Sequence, residues 1–180
     1  MEHKIKIAAV SKLASSQKGF DEKGCFGCKC KDSCCRYGAD FDKEAYDLVI
    51  VNKNLIEPLI GRKIEDCFEK KWSDDTEFLG NNSVRSIKNE QDFCIFHNTK
   101  GKGCMLYNLA NTQGINRRIV PSICRLFPLS WRKGTLIVAN EEKGSAIPDD
   151  CNCVDPQNTT SKSIVETQKD EIKDIFEMKK

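Results

Sequence analysis

The sequence predicts a small single-domain α+β protein with an irregular core built around cysteine sulfur and a helix at its C-terminus. Three observations carry that prediction. Eleven cysteines lie in 180 residues, and five crowd into one stretch, Cys25-Phe-Gly-Cys28-Lys-Cys30-Lys-Asp-Ser-Cys34-Cys35. Elsewhere, brief β-branched and aromatic runs alternate with brief amphipathic ones, so no long element dominates. Finally, Ser163-x-x-Glu166 is a capping-box pattern, followed by Ile164, Ile172, Ile175 and Phe176 spaced for one helix face.

Taken in order, residues 5–10 suit a short strand, and Ser15, Ser16, Gly19 and Gly24 break any longer pattern over 1–24. Residues 25–35 are too rich in Gly, Lys and Cys for a regular element and read as a ligand loop. Asp40 or Asp42 offers an N-cap for a helix over 44–54, with Tyr46, Val49 and Ile50 on one face. A second helix is expected over 59–70 after Pro58. Gly80-Asn81-Asn82 has turn composition, so 77–79 and 84–87 are expected to pair as a hairpin. Residues 93–96 read as a strand, 105–111 as a helix stopped near Gly114, and Pro121 as the opening of a turn that carries Cys124. The β-branched run 135–139 reads as a strand. The resulting division is an N-terminal segment (1–24), a cysteine-cluster domain (25–155) and a C-terminal helix (156–180).

Composition narrows the class. Hydrophobic residues make up 39% and charged residues 31%, which suits a soluble globular chain with one modest core. Twenty-nine basic residues are nearly balanced by 27 acidic ones, so charge gives no reason to expect nucleic acid. The apolar run near the start is too short for a signal-peptide core or a membrane span, and a cytoplasmic location is expected. There thiols stay reduced, and clustered cysteines bind metal or serve redox chemistry more often than they form disulfides.

Crowded thiols need a holder. Adjacent Cys34 and Cys35 pair poorly with each other, because a disulfide wants Cα atoms about 5.5 Å apart and a specific dihedral. A metal ion or iron–sulfur cluster tolerates several thiolates from one turn of chain. Cys25-x2-Cys28 forms one clip and Cys30-x3-Cys34-Cys35 another, with Cys94, Cys104 and Cys124 downstream. Two glycines precede Cys104, which leaves room for backbone amides near its sulfur. Cys34 or Cys35, Cys104 and Cys124 are expected to converge. Whether eight thiols fill one site or two stays open, as does the choice between an iron–sulfur cluster and zinc.

The same blocks carry a resemblance. Cys30-Lys-Asp-Ser-Cys34-Cys35-Arg, Phe93-Cys94-Ile-Phe, Gly103-Cys104-Met-Leu-Tyr107 and Pro121-Ser-Ile-Cys124-Arg125-Leu-Phe127-Pro128 resemble, in order, the YkgJ-type cysteine-cluster family. This is the CxxCxxCC group of zinc- or iron-chelating domains. The likeness spans roughly residues 25–130. Here three residues rather than two separate Cys30 from Cys34, which leaves Cys25, Cys28 and Cys30 all candidates for the first ligands. The resemblance implies a metal-binding protein with ligands among Cys25, Cys28, Cys30, Cys34, Cys35, Cys94, Cys104 and Cys124. It also admits a protein partner, and a metal-dependent enzyme akin to the family's flagellin lysine N-methylases. A metal-free thiol–disulfide sensor is the third reading.

Other reactive residues have plainer readings. Cys67 fits a buried core position on a helix. Cys151-Asn-Cys153 lies in a polar loop and suits either a second site or a redox pair. His97 reads as solvent-facing. Arg117, Arg118, Arg125 and Arg132 read as a solvated basic face or as cations balancing the thiolates, and Trp131 as packing beside the site. No phosphate loop, nucleophile triad or methyl-donor signature is present in the sequence.

Overall fold

A computed structural model gives the structure of residues 4–18, 20, 30–141, 153 and 162–178, and the description that follows is of these. In chain order the strands are β1 (Ile5–Ile7), β2 (Ala9–Val10), β3 (Asp40–Asp42), β4 (Phe68–Asp74), β5 (Asn82–Ser86), β6 (Leu129–Arg132), β7 (Thr135–Val138) and β8 (Phe176–Met178). The helices are α1 (Lys12–Ser16), α2 (Lys43–Val51), α3 (Lys53–Ile60), α4 (Met105–Gln113), α5 (Ser122–Leu126), α6 (Ile164–Thr167) and α7 (Lys169–Ile175). The architecture is α+β, with short helices and both antiparallel and mixed sheets. The chain forms two compact units, one over 35–125 and one over 4–34 with 126–180.

The first unit is an antiparallel sheet in the order β3-β5-β4, packed with α2, α3 and α4. Asp42 ends β3 and caps α2, its Oδ1 accepting from the Ala45 amide at 3.1 Å. Ala45 and Val49, four residues apart on α2, are buried. Helix α4 presents Met105, Leu106 and Leu109 to the core and stops where Gly114 turns left-handed at φ 66°. The heart of this unit is aromatic. Phe41 meets Phe68 edge-on at 5.1 Å and Phe96 at 5.3 Å, and Tyr46 bridges Phe68 to Trp72.

The second unit pairs β1 with β8 in parallel and arranges β2-β7-β6 as a mixed sheet. Its buried set includes Ile5, Ile7, Leu129, Leu136, Val138, Ile172, Ile175 and Phe176. The capping box forms as expected: Ser163 Oγ accepts from the Glu166 amide, and Glu166 Oε2 accepts from the Ser163 amide at 2.7 Å. The helix it starts breaks at Gln168 into α6 and α7, and Phe176 belongs to β8 rather than to the helix.

Several expected elements change. The helix expected over 44–54 divides at Asn52, and α3 runs through Pro58 instead of beginning after it. The helix expected over 59–70 is absent, because Gly61 adopts φ 66° and ends α3, and β4 follows a single 3₁₀ turn at Ile64–Asp66. Strand β4, not 77–79, pairs with β5, and its register slips between Phe68 and Trp72. Residues 93–96 make only an isolated bridge, Lys88 to Cys94. Ser33–Tyr37 is a 3₁₀ helix, so the cysteine loop is regular at its end, and the irregular N-terminal reach contains α1, capped by Ser11. Among the described residues, no helix is long and apolar enough to cross a membrane.

Candidate metal centre

Main-chain hydrogen bonds stage three of the expected ligands in the first unit. The Cys94 amide donates to the Cys35 carbonyl at 2.7 Å, and the Ile95 amide donates to Ile87 at 3.0 Å. One residue on, the Phe96 carbonyl accepts from Met105, directly after Cys104, at 2.9 Å, while His97 pairs antiparallel with Cys104. The turn over 98–103 makes this approach feasible. Its closing bond runs from the Asn98 amide to the Gly103 carbonyl at 2.9 Å, with Gly103 at φ 74°, where a side chain would be strained. Cys35, Cys94 and Cys104 are thus neighbours because the backbone ties their segments together, with the Phe41–Phe68–Phe96 cluster in the same core.

The electrostatics follow from burial. Removal from water pushes the Cys94 thiol above its ordinary range; the Ser86 hydroxyl and the Phe96 amide pull the other way, and nearby Cys35 adds to the rise. Cys104 keeps some exposed surface as a residue, but enclosure of its sulfur pushes its thiol up strongly, and both Cys35 and Cys94 reinforce this. The amides of Tyr107 and Leu106, in the first turn of α4, favour its charged form without making a formed helix cap. These amides come from after Cys104, not from the glycines before it. Cys67 is fully buried, as expected, though at the end of a 3₁₀ turn; burial pushes its thiol up to about 12.

The remaining expected residues divide as follows. Cys124 stands exposed on α5. Cys30 and Cys34 belong to the second unit, where buried Cys30 donates to Asp32 Oδ1 at 3.9 Å, and Cys153 is buried in that unit too. Cys25, Cys28 and Cys151 lie outside the described residues. None of the eight described cysteines is in a disulfide. Among the described residues, no three Cys, His, Asp or Glu side chains already surround one metal-sized point. The donor chemistry of Cys94 and Cys104 nevertheless fits a thiolate-bound metal: soft sulfur donors, sheltered from water, with amide and hydroxyl groups directed at them.

Neighbouring residues depart from expectation. His97 is half-buried, not solvent-facing, and its ring stacks on Phe93 at 4.2 Å, with the Arg36 guanidinium 4.3 Å from the same ring's centre. Arg125 is buried and donates to the Val120 carbonyl at 3.0 Å, while Arg118 pairs with Glu44 and Arg117 reaches the Tyr107 hydroxyl. Trp131 meets the Phe176 ring edge-on, in its own unit. Sequence reasoning missed Ser86, whose hydroxyl lies 3.3 Å from Cys94 Sγ. Its signal was present: Val84 and Ser86 share the buried face of β5 at period two, so a serine points inward.

No protein-family model, curated protein or solved structure matches the chain.

Proposed function

We propose that this protein is a metal-binding cysteine-cluster module in which thiolates hold an iron–sulfur cluster or zinc. The observation that carries the reading is the backbone staging of Cys35, Cys94 and Cys104, with amides and a hydroxyl aimed at buried sulfurs. Cys124, exposed on α5 in the same unit, is assigned by sequence pattern as the fourth ligand of a four-thiolate set. Cys25, Cys28, Cys30 and Cys34 are assigned as further ligands by sequence pattern, in keeping with the resemblance to the CxxCxxCC family. When bound, the metal supplies either a structural crosslink or a one-electron centre. Shielded, amide-tuned sulfurs suit the iron–sulfur cluster better, because its potential and stability depend on solvent exclusion and on hydrogen bonds to sulfur. The metal-free sensor reading would rest on Cys25, Cys28, Cys151 and Cys153 and not on Cys94 and Cys104, which burial keeps neutral.

The test is anaerobic purification with metal analysis and a visible spectrum. The expected result is stoichiometric iron or zinc, lost in Cys94→Ser and Cys104→Ser but kept in Cys67→Ala. Broad absorption near ~400 nm, bleached by dithionite, identifies a cluster. Folded wild-type protein that takes up neither metal on anaerobic reconstitution overturns the reading.

A further inference from the structure

We infer that Ser86 is a positioning residue of the thiolate centre, fixing the Cys94 sulfur by donating its hydroxyl proton to it; this rests on the metal-binding reading above. Ser86 ends β5 and is 3% exposed, so its hydroxyl finds its partners inside the protein. One partner is the Ala39 amide, which donates to Ser86 Oγ at 2.9 Å. The other is Cys94 Sγ, 3.3 Å away. A hydroxyl has one proton and two acceptor sites. With an acceptor site already used by Ala39, the proton remains to be placed, and the sulfur is the neighbour that can take it. A metal-bound thiolate carries no proton, so towards it the bond can run only from oxygen to sulfur.

The surroundings hold that direction. The Ser86 amide donates back to the Ala39 carbonyl at 2.8 Å, so Ala39 and Ser86 grip each other twice. Gly38, at φ 71°, lies so close that a Cβ there would approach the Ser86 carbonyl oxygen at 3.2 Å and Oγ at 3.4 Å. The hydroxyl is therefore caged between the 38–39 segment and Cys94, and cannot swing away without losing the Ala39 bond. A hydrogen bond to a ligating sulfur draws electron density from it, relieves repulsion among thiolates and orients the ligand. Ser86 does this for Cys94 as the amides of Leu106 and Tyr107 do for Cys104.

The test uses the full chain, stripped of metal anaerobically and titrated with cobalt(II) and zinc(II) against a competing chelator. Ser86→Ala should weaken zinc binding about 10–100-fold, the usual effect of removing an outer-shell partner. It should also move the sulfur-to-cobalt charge-transfer band to longer wavelength, since an unbonded thiolate gives up its electron more readily. Ser86→Thr, which keeps the hydroxyl, should restore both readouts to near wild-type values. Unchanged affinity and band position in Ser86→Ala overturn the inference while leaving the metal site intact. A threonine variant that binds as poorly as alanine assigns the loss to packing and overturns it too. Wild-type protein that binds neither ion overturns the metal-binding reading, and the inference falls with it.

Discussion

Replacing Asp42 with alanine removes one carboxylate that does two jobs. Asp42 is 2% exposed; its Oδ1 accepts from the Ala45 amide at 3.1 Å, and its Oδ2 accepts from the Ser122 amide at 2.8 Å. The first bond is the N-cap of α2, whose loss costs about 1 kcal/mol. The second satisfies a donor on a fully buried residue, and leaving that N–H unpaired costs about 1–3 kcal/mol. Asp42→Ala should therefore destabilise by about 2–4 kcal/mol in total. Asp42→Asn keeps one carbonyl oxygen and should lose roughly half as much. Urea unfolding with an unchanged m-value measures both. An alanine variant within about 1 kcal/mol of wild type, or an asparagine variant as damaged as alanine, would refute the bridging role. Ser122 lies two residues before Cys124, so the alanine variant should also bind metal less tightly.

Phe41→Ala should cost about 3–5 kcal/mol, because the ring is 1% exposed and touches both Phe68 and Phe96; thermal or chemical unfolding reads it directly. The metal-free protein should lose stability in alkali. Its buried thiols titrate above their unfolded values, so their contribution is complete below about pH 9 and drains as pH rises, with Cys67 titrating near about 12 and Cys104 raised further still. Each thiol can contribute a slope of up to about 1.4 kcal/mol per pH unit. Melting temperatures of the stripped protein from pH 8 to 11 should fall, less steeply in Cys67→Ala, and a flat profile would count against this account.

What the sequence made legible was local. Helix α4 was readable because Gly114 supplies its stop, and α6 because Ser163 and Glu166 cap it reciprocally. Strand β4 was not. Its aromatics Phe68 and Trp72 stand four apart, a helical interval, and only the slipped register against Ser86 and Val84 lets both sit in the sheet. Pro58 misled in the same stretch, since proline usually opens a helix, yet here it lies inside α3. The cysteine blocks singled out eight candidates, Cys35, Cys94 and Cys104 among them, but not how the segments of these three meet. That depends on bonds between distant segments, Cys94 to Cys35 and Met105 to Phe96, which leave no periodic trace in the chain.

The enclosed sulfurs carry one further consequence, which separates a metal site from a merely buried group of cysteines. Near neutral pH, burial keeps Cys94 and Cys104 protonated, nearby Cys35 adds to the cost of ionising both, and Cys94 adds to that of Cys104. A metal reverses that balance, because it binds only the thiolate, and loading must expel a proton from each neutral thiol that becomes a ligand. Adding zinc(II) to the stripped protein at pH 7 in weak buffer should therefore release about three to four protons per ion bound, as Cys35, Cys94, Cys104 and Cys124 ligate together. Cys104→Ser should reduce the count by about one. A loose surface association through carboxylates, already ionised at that pH, would release almost none. Measured release below about two protons per zinc would show that the buried thiols are not the ligands. The sulfur cluster would then be a packing feature of the first unit, and the metal, wherever it bound, would owe nothing to the bonds that bring Cys35, Cys94 and Cys104 together.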